Sequence, residues 1–576
     1  QYQAARDFWL ALPDDDILCG YRRAAKLPAP GKPLGGWCDA NSDIVFGQWL
    51  SGMARMHRAT GDAEIMAKAV KLMTEWAKTL PADANTGMNH YAWDKLVCGL
   101  VDLKHYAGVD DALPLLERIC DWGAAKLAHQ NVPGSEGRST GNPAEWYTLA
   151  ENLYRAYQLT GKDQYKDFAD RWLYTPYWSK FLDTADPKDA FGVHAYSHVN
   201  TWSSCAMAYA ATGDEKFLRM LRNAYDFLQK RQCFATGGFG PSEFLATSDG
   251  GLGRSIETRF DTFETGCGSW AAFKMTRYLI SFTGEARYGD WTERIFYNGI
   301  GAALPVTAAG RNFYYSDYRL ASAMKTYNWD PWACCSGTYI QAVADYHNII
   351  YYHDAGALYV NLFVPSQVTW KRDGGDVKLT QQTQYPAAET TTFTINAAGT
   401  GTFGLRFRVP AWTSGVNVKI NGAAAAVECK PGAWAAIDRT WKSGDAVEVT
   451  IPMKLRMVPI DEQHPDRIAV MHGPVALVLE QAYDDPFVFP QTEEELNAWA
   501  KPDNGMGPQS ARGVKSPYPI PGAFGLHPPE SAFVPPYPPG APPSRVHSLL
   551  RPFYTVEENY PYKIYFDRKA RPVVYW

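Results

Sequence analysis

The sequence predicts a multidomain α + β protein: an N-terminal (α/α)6 toroid followed by antiparallel β-sandwich domains. Three observations lead there. Helical segments recur over the first 350 residues around a repeated Thr-Gly turn. From about residue 355, short strands of alternating apolar and polar residues replace them. Late in the chain the strands are interrupted by a stretch dense in Pro and Gly. At 576 residues, and with domains of about 150 residues as a prior, three or four units are expected. The divisions expected are a barrel over 1–354, a β-sandwich over 355–460, and a second β-rich region over 461–576.

The helical turns begin at Thr60 (TGDAEIMAKAVKLM), Thr160 (TGKDQYKDFADRWL), Thr212 (TGDEKFLRMLRNAY) and Thr283 (TGEARYGDWTERIF), with a weaker copy near Val109. Gly after Thr suits a left-handed helix stop, and the acidic residue that usually follows suits the next helix's N-terminus. Such hairpins close into a ring whose concave face is built from the loops between them. Beyond them, ALYVNLFVPSQVTW, ETTTFTINA, TFGLRFRVPAW, VNVKING, WAAIDRTW and AVEVTIPMKLRMVPI read as strands of an antiparallel sandwich. DRIAVMHGPVALVLE adds a strand pair. Residues 501–545 read as extended surface chain, and FYTVEENYPYKIYFD returns to strand.

Composition excludes several functions. Fifty-six basic against 61 acidic residues leave a net charge of -5, so nothing draws a nucleic-acid backbone, and zinc-finger and Gly-Lys-Ser signatures are missing. No apolar run reaches membrane-spanning length. Ten cysteines are too few for a disulfide scaffold. The 20 Trp and 34 Tyr suit the C–H face of a sugar ring as well as a core, which makes a glycan the expected partner. The Gln-Tyr-Gln start suggests a mature secreted chain and an extracytoplasmic location. A dimer is as compatible with the sequence as a monomer.

The densest chemistry lies in GGFGPSEFLATSDGG, with Glu243, in DTFETGCGSW, with Glu264 and Cys267, and in NWDPWACCSGTYIQ, with Cys334 and Cys335. A Glu and three Cys make a four-ligand zinc set, and Glu264 and Cys267 stand three apart, one face of a helical turn. A helix expected to start near Tyr339 would lower the pKa of a thiol just ahead of it. The same cysteines also read as small buried core residues.

These residues resemble a known family. CCSGT before a helix ending in IIYY, GGFGPSE before FETGC, TGEARYGDWTERIFYNGI, and HAYSH before a Thr-Gly-Asp turn are similar to glycoside hydrolase family 127, whose founding activity is β-L-arabinofuranosidase. The resemblance implies an (α/α)6 catalytic barrel with β-sandwich domains and a zinc ion held by Glu264, Cys267, Cys334 and Cys335. It further implies a retaining mechanism with Cys334 as nucleophile and Glu243 as acid/base, and a sugar pocket lined by His194 and Tyr314. The family's Glu-Thr-Cys is one residue longer here, as Glu264-Thr265-Gly266-Cys267, and Gln341 stands where an acidic residue is common. A divergent subfamily with its own sugar specificity is therefore expected.

Other candidates surround this set. His194 and His198, four apart, read as sugar partners or as structural histidines. His90, Asp94 and Glu145 suit the barrel centre, though Glu145 also suits a helix's first turn. Trp270, Trp329 and Trp332 flank the cysteine loops and suit either a sugar platform or core. Two further function classes fit the scaffold. One is a polysaccharide lyase using His194, His198 or Tyr196 as base with Arg259 to neutralise a uronate. The other is a non-catalytic carbohydrate-binding protein.

Overall fold

The computed structural model describes residues 1–38, 45–127, 145–373, 375–397, 401–480, 488–503, 520–529, 532 and 548–569. Its helices, in chain order, are α1 (Tyr2–Ala11), α2 (Asp14–Ala24), α3 (Phe46–Thr60), α4 (Ala63–Ala77), α5 (His90–Ala107), α6 (Ala112–Lys126) and α7 (Ala150–Thr160). They continue with α8 (Asp163–Asp170), α9 (Ala195–Thr212), α10 (Glu215–Arg231), α11 (Thr265–Thr283), α12 (Gly289–Asn298) and α13 (Cys334–Ala344). Among the described residues, α3, α5, α7, α9, α11 and α13 each pack on the next, and α13 packs back on α3, closing an inner ring. The helices α4, α6, α8, α10 and α12 each cover the inner helix before them, and α1 covers α13 from the start of the chain. This is the (α/α)6 toroid.

The Thr-Gly turns build it with one recurring device. Thr60, Thr160, Thr212 and Thr283 each donate their hydroxyl to the carbonyl four residues back, at 2.6–2.8 Å. The same oxygen accepts the N–H two residues ahead, at 3.1–3.3 Å. The next glycine stops the inner helix in the left-handed region, φ 68–73°, where a Cβ would be unfavourable. Asp62 and Asp214 then cap the outer helix by accepting its first free N–H groups. Inner helices are buried on every side. The stretch Ala195–Ala208 of α9 is wholly buried although it carries Ser, His, Asn and Thr, and Thr201 and Ser204 satisfy their hydroxyls by donating to the Tyr147 and Thr148 carbonyls.

Strands of the sandwich begin at Tyr351. One sheet runs Ala423–Ala424, Asn417–Ile420, Asp445–Thr450, Thr390–Ala397, Val377–Thr383 and Ser366–Trp370. The facing sheet runs Trp434–Trp441, Gly401–Arg408, Ala357–Val360 and Tyr351–His353. Phe393, Ile395, Leu405, Phe407, Val447 and Val449 fill the space between them. The expectation of purely antiparallel pairing is corrected at one place: Ala357–Val360 lies parallel to Gly401–Arg408. The chain between them crosses to the other sheet and back, and a connection of that length permits parallel pairing.

A third sheet starts at Leu455–Pro459 and includes the hairpin Arg467–His472 with Val475–Glu480. The stretch 501–545 departs from the expected surface chain where it is described: Ala523–Leu526 pairs with Ala500–Asp503 and with Ser548–Pro552. The rest of that stretch, 504–519 and most of 530–545, lies outside the described residues.

Both β regions are locked to the toroid. Arg408, fully buried, reaches Asp290 at 2.5 Å and Glu293 at 2.7 Å on α12. Gly289 leaves room for it, since a Cβ there would stand 2.1 Å from Asn361 Oδ1 and 2.5 Å from Arg408 Cδ. The third sheet recruits Ala323–Met324 from the toroid as a strand, and Lys325 Nζ donates to the Phe553 carbonyl at 2.8 Å.

Candidate active site

The N-terminal ends of the inner helices converge on one end of the toroid. His194 is the N-cap of α9, Glu264 the N-cap of α11, Cys334 the first residue of α13 and His90 the first of α5. Unsatisfied N–H groups and the positive ends of helix dipoles therefore face this space, which favours carboxylates and a thiolate. Helix α13 starts at Cys334, five residues before the expected Tyr339, so both adjacent cysteines sit in its first turn rather than ahead of it. Residues i and i+1 diverge around a helix, yet both sulfurs reach the same cluster because Glu264 and Cys267 meet them from α11.

The cluster is compact. One ligand atom from each of Glu264, Cys267, Cys334 and Cys335 lies within 4.8 Å of the others, and all four residues are buried. Cys267 Sγ is 3.5 Å from Cys334 Sγ and 3.3 Å from Cys335 Sγ. Glu264 Oε1 is 3.5 Å from each of the adjacent sulfurs, while its Oε2 has no hydrogen-bond partner. Glu264 as N-cap and Cys267 three residues on share one side of the first turn of α11. The extra residue of this motif is accommodated because it is glycine: a Cβ on Gly266 would stand 3.0 Å from the Cys335 carbonyl oxygen and 3.1 Å from its Cβ. Burial pushes the Cys267 and Cys335 thiols and the Glu264 carboxyl well up. Hydrogen bonds from Cys267 and Cys335, and then from Tyr314, hold Cys334 well below an ordinary thiol. Cys334 is thus the most acidic thiol of the set, with Tyr314 Oη 3.2 Å from its sulfur. Buried soft donors with one carboxylate can hold a metal ion.

Glu243 faces this cluster from a constrained loop. Ser242 and Glu243 both have positive φ, 59° and 64°, directly after Gly240 at 76°. The Ser242 N–H donates to the Asp261 carbonyl at 2.7 Å, and Arg259 donates to Ser242 Oγ at 2.8 Å. Antiparallel pairing of His194 with Phe244 sets His194 beside Glu243, Nε2 to Oε2 3.6 Å. The strand pair Phe263–Glu264 with Tyr315–Ser316 places Tyr315 so that its hydroxyl donates to Glu243 Oε1. Burial opposes charge on both partners, but the Glu243 hydrogen bond, with Glu264 and Glu145 nearby, raises His194 to about 9. Burial likewise pushes Glu243 up, and its hydrogen bonds from His194 and Tyr315 outweigh that and hold it low. Both shifts favour a charged pair, with the proton on His194 and the carboxylate on Glu243.

Buried polar atoms without partners line the rest of the space: Tyr91 Oη, Tyr196 Oη, Glu145 Oε2 and both side-chain atoms of Gln48. Gln48 comes this close to α13 only because residue 337 is glycine, where a Cβ would be 2.1 Å from Gln48 Oε1. Glu145, itself at φ 49°, stands 3.8 Å from His194 Nδ1 and precedes a short helical turn instead of occupying a first turn of α7. Further down the axis, buried Arg55 pairs with Asp102 and Asp345, Arg155 with Asp102, Lys274 with Glu151, and Arg277 with Asp345. These pairs join α3, α5, α7, α11 and α13 and plug the toroid.

Other residues singled out in the sequence have other contacts. His198 points away from the cluster, its Nδ1 2.9 Å from the His194 carbonyl and its ring 4.8 Å from those of Tyr147 and Tyr177. Burial there lowers it to about 3, a neutral structural imidazole. Trp329 is 89% exposed, Trp332 is buried against Trp49 and Phe8, and Trp270 covers Arg55. Asp94 bonds Asn152 and Lys95, the His90 ring packs on Trp172, and Arg259 pairs with Asp261. Sequence reasoning passed over Tyr315, Tyr91 and Gln48. The only signal for Tyr315 is its place in the Tyr-rich strand NFYYSDY.

At the end of this (α/α)6 toroid, unpaired hydroxyl, amide and carboxyl groups surround a thiol-rich cluster, surroundings suited to a polar ligand such as a sugar. The family model described as beta-L-arabinofuranosidase, GH127 catalytic domain, matches residues 1–348, and that of the GH127 middle domain matches 357–453. The chain belongs to glycoside hydrolase family 127. It is similar to the solved structure of a GH127 β-L-arabinofuranosidase from Geobacillus stearothermophilus T6, at 21% identity over 96% of this chain and 94% of that one, with a TM-score of 0.69. It is also similar to the GH127 β-arabinofuranosidase BT3674, at 19% identity over 98% and 95% of the two chains, with a TM-score of 0.73. At these identities the likeness is one of fold. No curated protein matches the chain.

Proposed function

We propose that this chain is a retaining glycosidase that removes a terminal β-L-arabinofuranoside-like sugar, with Cys334 as nucleophile and Glu243 as acid/base. The observation that carries the reading is the cluster of Glu264, Cys267, Cys334 and Cys335 with Glu243 held opposite. Zinc fits this donor set: a tetrahedron with Zn–S near 2.3 Å and Zn–O near 2.0–2.2 Å has edges of about 3.5–3.8 Å, four of the separations here are 3.3–3.5 Å, and all lie within 4.8 Å. When bound, zinc keeps the cysteines deprotonated and shields them from oxidation.

The chain's own residues supply the steps. Cys334 Sγ attacks the anomeric carbon as the glycosidic C–O bond breaks, and Glu243 gives its proton to the departing oxygen. For that, Glu243 has to take up the proton that His194 holds. Glu243 then removes a proton from the water that attacks the same carbon, and the thiolate leaves. Tyr314 donates to the Cys334 sulfur, and Tyr91, Tyr196, Glu145 and Gln48 are free to pair with sugar hydroxyls. The plugged toroid suits removal of an end residue, since a polymer cannot thread through it.

A lyase finds less support: Arg259 is tied to Asp261, His198 is turned away, and Glu145, Glu243 and Glu264 would repel a uronate. Trapping tests the proposal. A mechanism-based β-L-arabinofuranoside inhibitor should label Cys334, as located by peptide mass spectrometry. A label on any Asp or Glu overturns the cysteine mechanism.

A further inference from the structure

Among the described residues few large apolar side chains are exposed, and one of them stands against Tyr315, the partner of Glu243. Phe260 is 54% exposed, and its ring meets the Tyr315 ring edge-on, centroids 6.1 Å apart at 85°. Tyr315 in turn hydrogen-bonds Glu243. Burial falls steadily along this line: the Glu264 side chain is 5% exposed and that of Glu243 is 28%. Phe260 thus stands on the solvent side of Tyr315, the residue that hydrogen-bonds Glu243.

Its loop is fastened to the Glu243 loop on both sides. Arg259 bonds Ser242 Oγ and pairs with Asp261, whose carbonyl accepts the Ser242 N–H. The ring keeps an edge-on contact with Tyr315 and leaves more than half of its surface open. It is preorganised for a ligand that arrives there.

We propose that Phe260 is the platform of the leaving-group subsite, on which a glycosyl ring attached to the scissile oxygen stacks its C–H face. This rests on the role of Glu243 as the acid that protonates that oxygen, because the acid marks the side on which the leaving group lies. The leaving group is then itself a sugar, and the enzyme prefers a sugar–sugar linkage to a simple alkyl glycoside. Stacking on an aromatic face is non-directional, so the platform sets the kind of leaving group more than its linkage.

The test compares one glycone on two leaving groups: a β-L-arabinofuranosyl disaccharide and the methyl β-L-arabinofuranoside. The readout is the ratio of their kcat/KM values. Phe260→Ala should lower that ratio about ten-fold, with most of the loss in KM for the disaccharide, while Phe260→Trp keeps it. A merely structural role would slow both substrates alike, and an unchanged ratio in Phe260→Ala overturns the subsite. If the wild-type enzyme hydrolyses neither glycoside, the functional reading has failed and the subsite falls with it.

Discussion

Replacing Glu243 with Gln separates proton donation from everything else the residue does. Gln keeps the volume and still accepts the Tyr315 hydrogen bond, and Glu243 is not among the cluster ligands, so fold and metal content should persist. What is lost is the proton. A positioned general acid contributes about 10²–10⁴-fold, or about 2.7–5.5 kcal/mol of barrier. That loss should appear in kcat/KM for alkyl and sugar leaving groups, whose oxygens cannot depart as anions. Activated aryl arabinofuranosides leave unaided, so their kcat/KM should change only a few-fold. Their kcat should fall instead, because the base that activates water against the Cys334-linked sugar is also gone, and KM should fall with it. The assay is a plot of log kcat/KM against leaving-group acidity for both enzymes, with added azide tested for restoring kcat. A steep slope in Glu243→Gln and a shallow one in the wild type are expected. An equal drop across the whole series would refute Glu243 as the proton donor.

Three more outcomes follow from the same geometry. Cys334→Ser should show no turnover while remaining folded by circular dichroism and able to bind sugar, since a serine hydroxyl at its ordinary pKa is a far weaker nucleophile than a thiolate; activity in the folded variant would move the nucleophile elsewhere. Purified, unchelated protein should carry about one zinc per chain, and Cys267→Ala should lower that content by elemental analysis; zinc-free active protein would sink the zinc reading. Arg408→Met should destabilise the fold by about 3–5 kcal/mol in denaturant unfolding, because Glu293, 1% exposed, and Asp290 lose their buried partner; a loss under about 1 kcal/mol would show that the contact between toroid and sandwich does not depend on this pair.

Much of the architecture was legible because it is written in local chemistry. A Thr that bonds back four residues, a Gly at positive φ and an Asp that caps the next helix need only neighbours in sequence, and each copy at Thr60 and Thr212 carries all three. Period-two alternation marks the sandwich strands for the same reason, since one face of each is buried. The adjacent cysteines and the Glu264–Cys267 spacing were visible too, being short-range. Ring closure decided the rest. Gln48, Tyr91, Glu145, His194, Glu264 and Cys334 come from the starts of different inner helices or from the turns leading into them, and only the closing of α13 onto α3 brings these together. No periodicity distinguishes Tyr315 from Tyr314, yet a two-residue ladder with Phe263–Glu264 sends one hydroxyl to Glu243 and leaves the other on Cys334. His198 looked like a partner of His194 from their spacing, and its aromatic surroundings, contributed by residues 147–177, turned it into a neutral core group. Patterning along the chain determines which residues are buried; which buried polar groups meet depends on contacts between residues far apart in sequence, and those exist only once the toroid has closed.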